Sequence, residues 1–105
     1  MSPFGRKCAD EQEMRRLRII FRGEVQGVGF RWTSRRVALE AGCTGWVRNE
    51  SDGSVTLELQ GTDEQIANYF GAFGRAYAGY PIDYVMDQKD EIEPNPDDTS
   101  FSVKF

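Results

Sequence analysis

Residues 15–22 alternate: Leu17, Ile19 and Phe21 fall on one side, Arg18, Ile20 and Arg22 on the other. That period of two predicts a strand with one face in a core. Residues 23–29 carry three glycines and read as a loop. From Phe30 the period lengthens. Phe30, Ser34, Val37, Ala38 and Ala41 share one helical face, and Gly42 supplies a C-terminal stop. Residues 43–50 predict a second strand centred on Trp46 and Val47. Ser51, Asp52 and Gly53 form a tight turn, because Asp-Gly favours hairpins. Val55, Leu57 and Leu59 then alternate with Thr56, Glu58 and Gln60 in a third strand. Thr62 and Gln65 have the spacing of a capping box. Ile66, Tyr69, Phe70, Phe73 and Tyr77 follow at helical intervals, and Gly79 and Pro81 end that helix. Ile82, Tyr84 and Met86 predict a fourth strand, residues 87–98 an acidic loop, and Phe101, Val103 and Phe105 a short last strand.

The predicted order is βαββαβ with one short strand added at the end. This is an α+β, ferredoxin-like arrangement, two helices on one face of an antiparallel sheet. Residues 1–14 are polar and without period, so a flexible tail is expected there. Residues 15–105 form one domain, which suits a chain of 105 residues. The longest apolar stretch, residues 17–21, is broken by Arg18, so no segment predicts a membrane span. An apolar leader is not visible either, and a cytoplasmic location is expected. With no heptad and no large apolar face, a monomer is expected.

Composition narrows the chemistry. The chain has no histidine, which removes Ser-His and Cys-His pairs, a phosphohistidine and any His-ligated metal. Cys8 and Cys43 are too few for a Cys-rich zinc site and are expected as free thiols. No metal and no cofactor is expected. Net charge is −4, unevenly placed, with residues 1–36 at +5 and residues 37–105 at −9. An acidic chain does not point to nucleic acid, yet its basic first third suits a small anion.

One stretch carries a specific chemistry. Gly23-Glu24-Val25-Gln26-Gly27-Val28-Gly29-Phe30-Arg31 joins the first strand to the first helix. Glycines let successive backbone N–H groups turn toward one point, and the helix that follows begins with unpaired N–H groups and a partial positive charge. Such a junction is an anion cradle, and Arg31 adds a fixed charge with a fork of donors. The glycine spacing fits neither a Walker A loop nor GxGxxG, so the cradle is sized for a single phosphoryl group. Backbone amides of Val25, Gln26, Gly27, Val28, Gly29, Phe30 and Arg31 would bind its oxygens. A crossover helix also makes the first two strands parallel, so both end at one edge of the sheet. Asn49 closes the second strand and should lie near Arg31.

Val25-Gln26-Gly27-Val28-Gly29-Phe30-Arg31, then Gly45-Trp46-Val47-Arg48-Asn49 and Asp52-Gly53-Ser54-Val55, resembles the acylphosphatase family. The resemblance runs from about residue 15 to residue 105. It implies a hydrolase that cleaves the carboxyl–phosphate bond of acyl phosphates by in-line attack of water, without a covalent intermediate or a metal. It implies that Arg31 binds the phosphate and Asn49 positions the water. The partners so implied are a small-molecule acyl phosphate and inorganic phosphate, the latter as product and competitive inhibitor. Two segments depart from the family pattern: Glu24 replaces a basic or neutral residue, and Tyr80-Pro81-Ile82-Asp83 replaces a Gly-Pro and Arg-containing stretch. Two other readings remain. One is a non-catalytic module of the same fold that binds phosphate or carbamoyl phosphate. The other is an RNA-binding domain, disfavoured because strand three has no aromatic residue.

Overall fold

The structure, a computed structural model, describes residues 13–23, 25, 26, 29–78 and 84–105. Expectations for the tail up to residue 12, for Cys8, Glu24, Gly27 and Val28, and for residues 79–83 lie outside the described residues. Along the chain run β1 (Arg15–Gly23), α1 (Phe30–Ala41), β2 (Thr44–Asn49), β3 (Val55–Gly61), α2 (Asp63–Tyr77), β4 (Tyr84–Ile92) and β5 (Phe101–Lys104). The sheet order is β4-β1-β3-β2-β5. Both β1 and β2 run antiparallel to β3, so they are parallel to each other and end at the same edge.

One face of the sheet carries the core. Leu17, Ile19 and Phe21 of β1 are buried with Val55, Leu57 and Leu59 of β3, Val47 of β2 and Phe101 of β5. Phe30, Val37 and Ala38 of α1 and Ile66, Tyr69, Phe73 and Tyr77 of α2 close over them. An aromatic cluster lies under the start of α1. The Phe30 ring is 5.1 Å from Phe21, 5.2 Å from Tyr77 and 5.6 Å from Phe73. The Tyr77 hydroxyl donates to the Phe30 carbonyl at 3.2 Å, which ties the last turn of α2 to the first turn of α1. The capping box of α2 forms as its spacing predicts, with Gln65 N donating to Thr62 Oγ1 and Thr62 N to Gln65 Oε1.

Two expectations are corrected. The sheet is mixed, because β5 pairs in parallel with β2. The chain leaves β4 at one edge, crosses the open face through residues 93–100, and enters the far edge in the direction of β2. That crossing is fixed by Asn95, bonded in both directions to the Gln60 amide, and by Asp98, 2.8 Å from Arg16. Second, the acidic segment is not a loop from residue 87, since β4 continues to Ile92 along β1. Its acids pair with β1 arginines, Asp87 with Arg22 and Glu91 with Arg15, both at 2.9 Å. Charge on an exposed edge strand discourages pairing with another chain. The β1 arginines are not all at the surface. Arg16 is 4% exposed and bonds Glu58, Gln60 and Asp98 on the open face.

Candidate active site

The site forms where β1 hands over to α1. Gly29 is the N-cap of α1 with φ of 76°, a left-handed conformation that favours glycine. Among the described residues no side chain caps this helix, and no acidic residue stands in its first turn, whereas α2 has both a capping box and Asp63 with Glu64. The opening N–H groups of α1 therefore keep their capacity for an outside anion. Val25, 1% exposed, and Phe30, 1% exposed, are core side chains, so these two positions anchor the loop and leave only their backbone to the site.

Gln26 does more than its backbone would. Its Nε2 donates to both the Glu50 carbonyl and the Ser54 carbonyl at 2.9 Å. The cradle is thereby laced to the β2–β3 hairpin. That hairpin is itself well held: Glu50 N donates to Ser54 O at 2.8 Å, and Asp52 Oδ1 accepts from Ser54 N and Ser54 Oγ. These bonds from Ser54, with Arg22 beside it, push the Asp52 carboxyl down to about 2. A hydrogen bond from Thr56, assisted by Arg48, lowers that of Glu50. No local pattern marked the Gln26 side chain, because its acceptors sit more than twenty residues away on another element.

Asn49 ends β2 opposite Val55 of β3. It alternates with Gly45 and Val47, so it belongs to the helix-covered face of the sheet. Its Oδ1 is buried and has no hydrogen-bond partner among the described residues. A buried acceptor without a partner costs about 1–3 kcal/mol, which a bound water can offset.

Arg31 stands in the first turn of α1 and reaches over the end of β5, the strand beside β2. Its Nη1 donates to the Lys104 carbonyl at 3.2 Å, and its guanidinium lies 4.9 Å from the centroid of the Phe105 ring. Arg15, Arg16, Arg18, Arg22, Arg36 and Arg48 are each paired with a carboxylate, whereas Arg31 has none among the described residues. A guanidinium held by one carbonyl and one ring keeps its other donors for an incoming anion. Lys104 lies opposite Arg48 in the β2–β5 pairing, so the Arg31 guanidinium, over the end of β5, and Asn49, at the end of β2, lie at the ends of neighbouring strands.

Trp32 is 54% exposed, because two residues beyond Phe30 it points away from the face Phe30 buries. Cys43 is a buried free thiol, as expected, with burial raising its pKa to about 11. Among the described residues no three His, Cys, Asp or Glu side chains gather into a metal-binding group, and no helix is long and apolar enough to cross a membrane.

A split βαβ domain, with an α1 start that no described side chain caps and an Arg31 that meets no carboxylate among the described residues, defines an α+β protein of the ferredoxin-like class. Comparison with known proteins narrows that class. The sequence profile of the acylphosphatase family matches residues 17–103, and the chain belongs to that family. It is 36% identical over 92 residues to an acylphosphatase of Oceanobacillus iheyensis, a match covering 88% of this chain and all of that one. The crystal structure of acylphosphatase from Bacillus subtilis superposes with a TM-score of 0.71 at 28% identity, covering 89% of this chain and 100% of that one. T. kodakarensis HypF matches at 30% identity and a TM-score of 0.69, over 87% of this chain but only 12% of that longer protein.

Proposed function

We propose that this chain hydrolyses acyl phosphates to a carboxylate and inorganic phosphate by direct in-line attack of water. The observation that carries the mechanism is the buried Asn49 Oδ1, without a partner among the described residues, at the end of β2, with Arg31, which meets no described carboxylate, over the end of the adjoining β5. An acyl phosphate is a mixed anhydride. Its leaving group is a carboxylate, so departure needs no general acid, and a chain without histidine is not handicapped. What the protein must supply is position and charge. The cradle amides of residues 25–31 and the free donors of Arg31 hold the phosphoryl oxygens and take up charge in the loose transition state. Asn49 accepts a hydrogen bond from one water and aims it at phosphorus. The P–O bond to the acyl oxygen breaks with its electron pair leaving on the carboxylate, and the water proton ends on the phosphate. Asn is too weak a base to remove that proton, so its role is positioning. The scheme uses no metal or cofactor, and inorganic phosphate competes for the cradle. We assign the activity to a cytoplasmic monomer.

The test is hydrolysis of benzoyl phosphate by wild type, Arg31→Ala and Asn49→Ala, with inorganic phosphate as competitor. Loss of one preorganised donor lowers kcat by roughly 10²–10³, and Arg31→Ala removes a charge as well. Asn49→Ala is expected to lower kcat while leaving phosphate inhibition nearly intact. An Arg31→Ala protein with normal turnover removes Arg31 from the mechanism. Phosphate inhibition that weakens as far as turnover falls in Asn49→Ala removes the water from Asn49. A chain that binds phosphate but turns nothing over would be the non-catalytic module.

A further inference from the structure

Two aromatic rings beside Arg31 have no part in holding a phosphoryl group. Phe105 is 90% exposed and Trp32 54% exposed, the first and third most exposed of the large apolar side chains described. They face one another with centroids 6.5 Å apart and planes at 51°, although Trp32 belongs to α1 and Phe105 follows β5. Val85 and Met86, exposed as well, lie on β4 at the opposite edge of the sheet. Water-exposed rings gathered beside a guanidinium are costly to leave bare and cheap to cover.

The geometry of the guanidinium says where a ligand meets them. Phe105 sits against Arg31 with its ring centroid 4.9 Å from Cζ. A phosphoryl group takes the edge of the guanidinium, where the N–H groups point, and leaves the stacked ring in place. The ring then stands beside the phosphoryl group, within reach of whatever is bonded to it. The cradle itself binds only oxygens of the phosphoryl end and is indifferent to the acyl group.

We propose that Phe105 and Trp32 form an acyl-group subsite that favours flat, apolar, aryl-type acyl phosphates over acetyl phosphate. This rests on the hydrolase reading above and names the substrate class for the same site. The aryl ring packs on Phe105 and against the Trp32 edge, and covers both as it binds. A single aromatic contact of this kind changes binding by roughly 3- to 10-fold, so discrimination is modest and resides in kcat/KM.

The experiment compares benzoyl phosphate with acetyl phosphate on the full chain: wild type, Phe105→Ala, Trp32→Ala and Phe105→Tyr. The expected result is a benzoyl-to-acetyl ratio of kcat/KM that falls about 3- to 10-fold in each alanine variant and is retained in Phe105→Tyr. Equal losses on both substrates with weakened phosphate inhibition would make Phe105 a support for Arg31, and would overturn the subsite. So would an unchanged ratio. A wild type that hydrolyses neither substrate refutes the hydrolase reading itself; one that hydrolyses both with no response to the alanine variants refutes only the subsite. Far-ultraviolet circular dichroism confirms that each variant folds, as substitution of such exposed rings should allow.

Discussion

Replacing Gln26 by alanine isolates what the cradle owes to its tether. The side chain makes two hydrogen bonds, to Glu50 O and Ser54 O, both at 2.9 Å. Each acceptor also receives a backbone bond, from Gly53 N and Glu50 N respectively, so the variant leaves no carbonyl without a donor. The loss is therefore the net value of two neutral hydrogen bonds at the low end of their range, together about 1–2 kcal/mol. That shifts the ratio of tethered to released loop by roughly 5- to 30-fold. The expected outcome is a fall of up to that factor in kcat/KM on benzoyl phosphate, with a matching rise in the inhibition constant of phosphate. Gln26→Glu should do worse, because a carboxylate would face two carbonyl oxygens. Amide hydrogen exchange over residues 25–31 should accelerate in both variants. Wild-type kinetics and wild-type exchange in Gln26→Ala would refute the tether.

Other consequences test the frame around the site. Arg16→Met strands Glu58, whose side chain is only 8% exposed, with Arg18 as its remaining cation. A cost of about 3–5 kcal/mol is expected by urea unfolding, and Arg16→Met with Glu58→Leu should recover most of it. A Cβ on Gly45, where φ is 136°, would lie 1.8 Å from the Glu58 carbonyl oxygen. Gly45→Ala should therefore cost about 3–5 kcal/mol through backbone strain and overlap, read by thermal or urea unfolding. The Asp52 carboxyl is depressed from 3.8 to about 2, so its contribution is present above pH 4 and lost as pH falls through that interval. In Asp52→Asn the acid limb of the stability profile should flatten over the same range.

Legibility in the sequence followed the range over which each feature is determined. β1 and β3 announce themselves because one face is apolar and the other is not, and α2 because Thr62 and Gln65 cap it within one turn. The junction of β1 with α1 could be read for the same reason, since strand, glycines and Arg31 are consecutive, and the crossover rule put the ends of β1 and β2 at one edge. The start of β4 was legible at Tyr84 and Met86, but its continuation to Ile92 was hidden by its acids. Asp87, Asp90 and Glu91 look like a solvated loop until the arginines of β1 are known to lie opposite. The burial of Arg16 has no local signal, because its partners, Glu58 and Asp98, are 42 and 82 residues away. The direction of β5 was equally invisible, being decided by how residues 93–100 cross the sheet. The lacing by Gln26 and the place of Phe105 against Arg31 are likewise products of the finished fold.

The bond from Arg31 to Lys104 spans 73 residues of chain. Closing a contact of such separation costs more chain entropy than any pairing of neighbouring elements. An assembly intermediate holding β1, α1, β2 and β3 would already present the glycine-rich bend, yet its guanidinium would swing free. Full anion affinity should thus arrive only as the outermost strand zips onto β2, and phosphate should act as a latch on that final step.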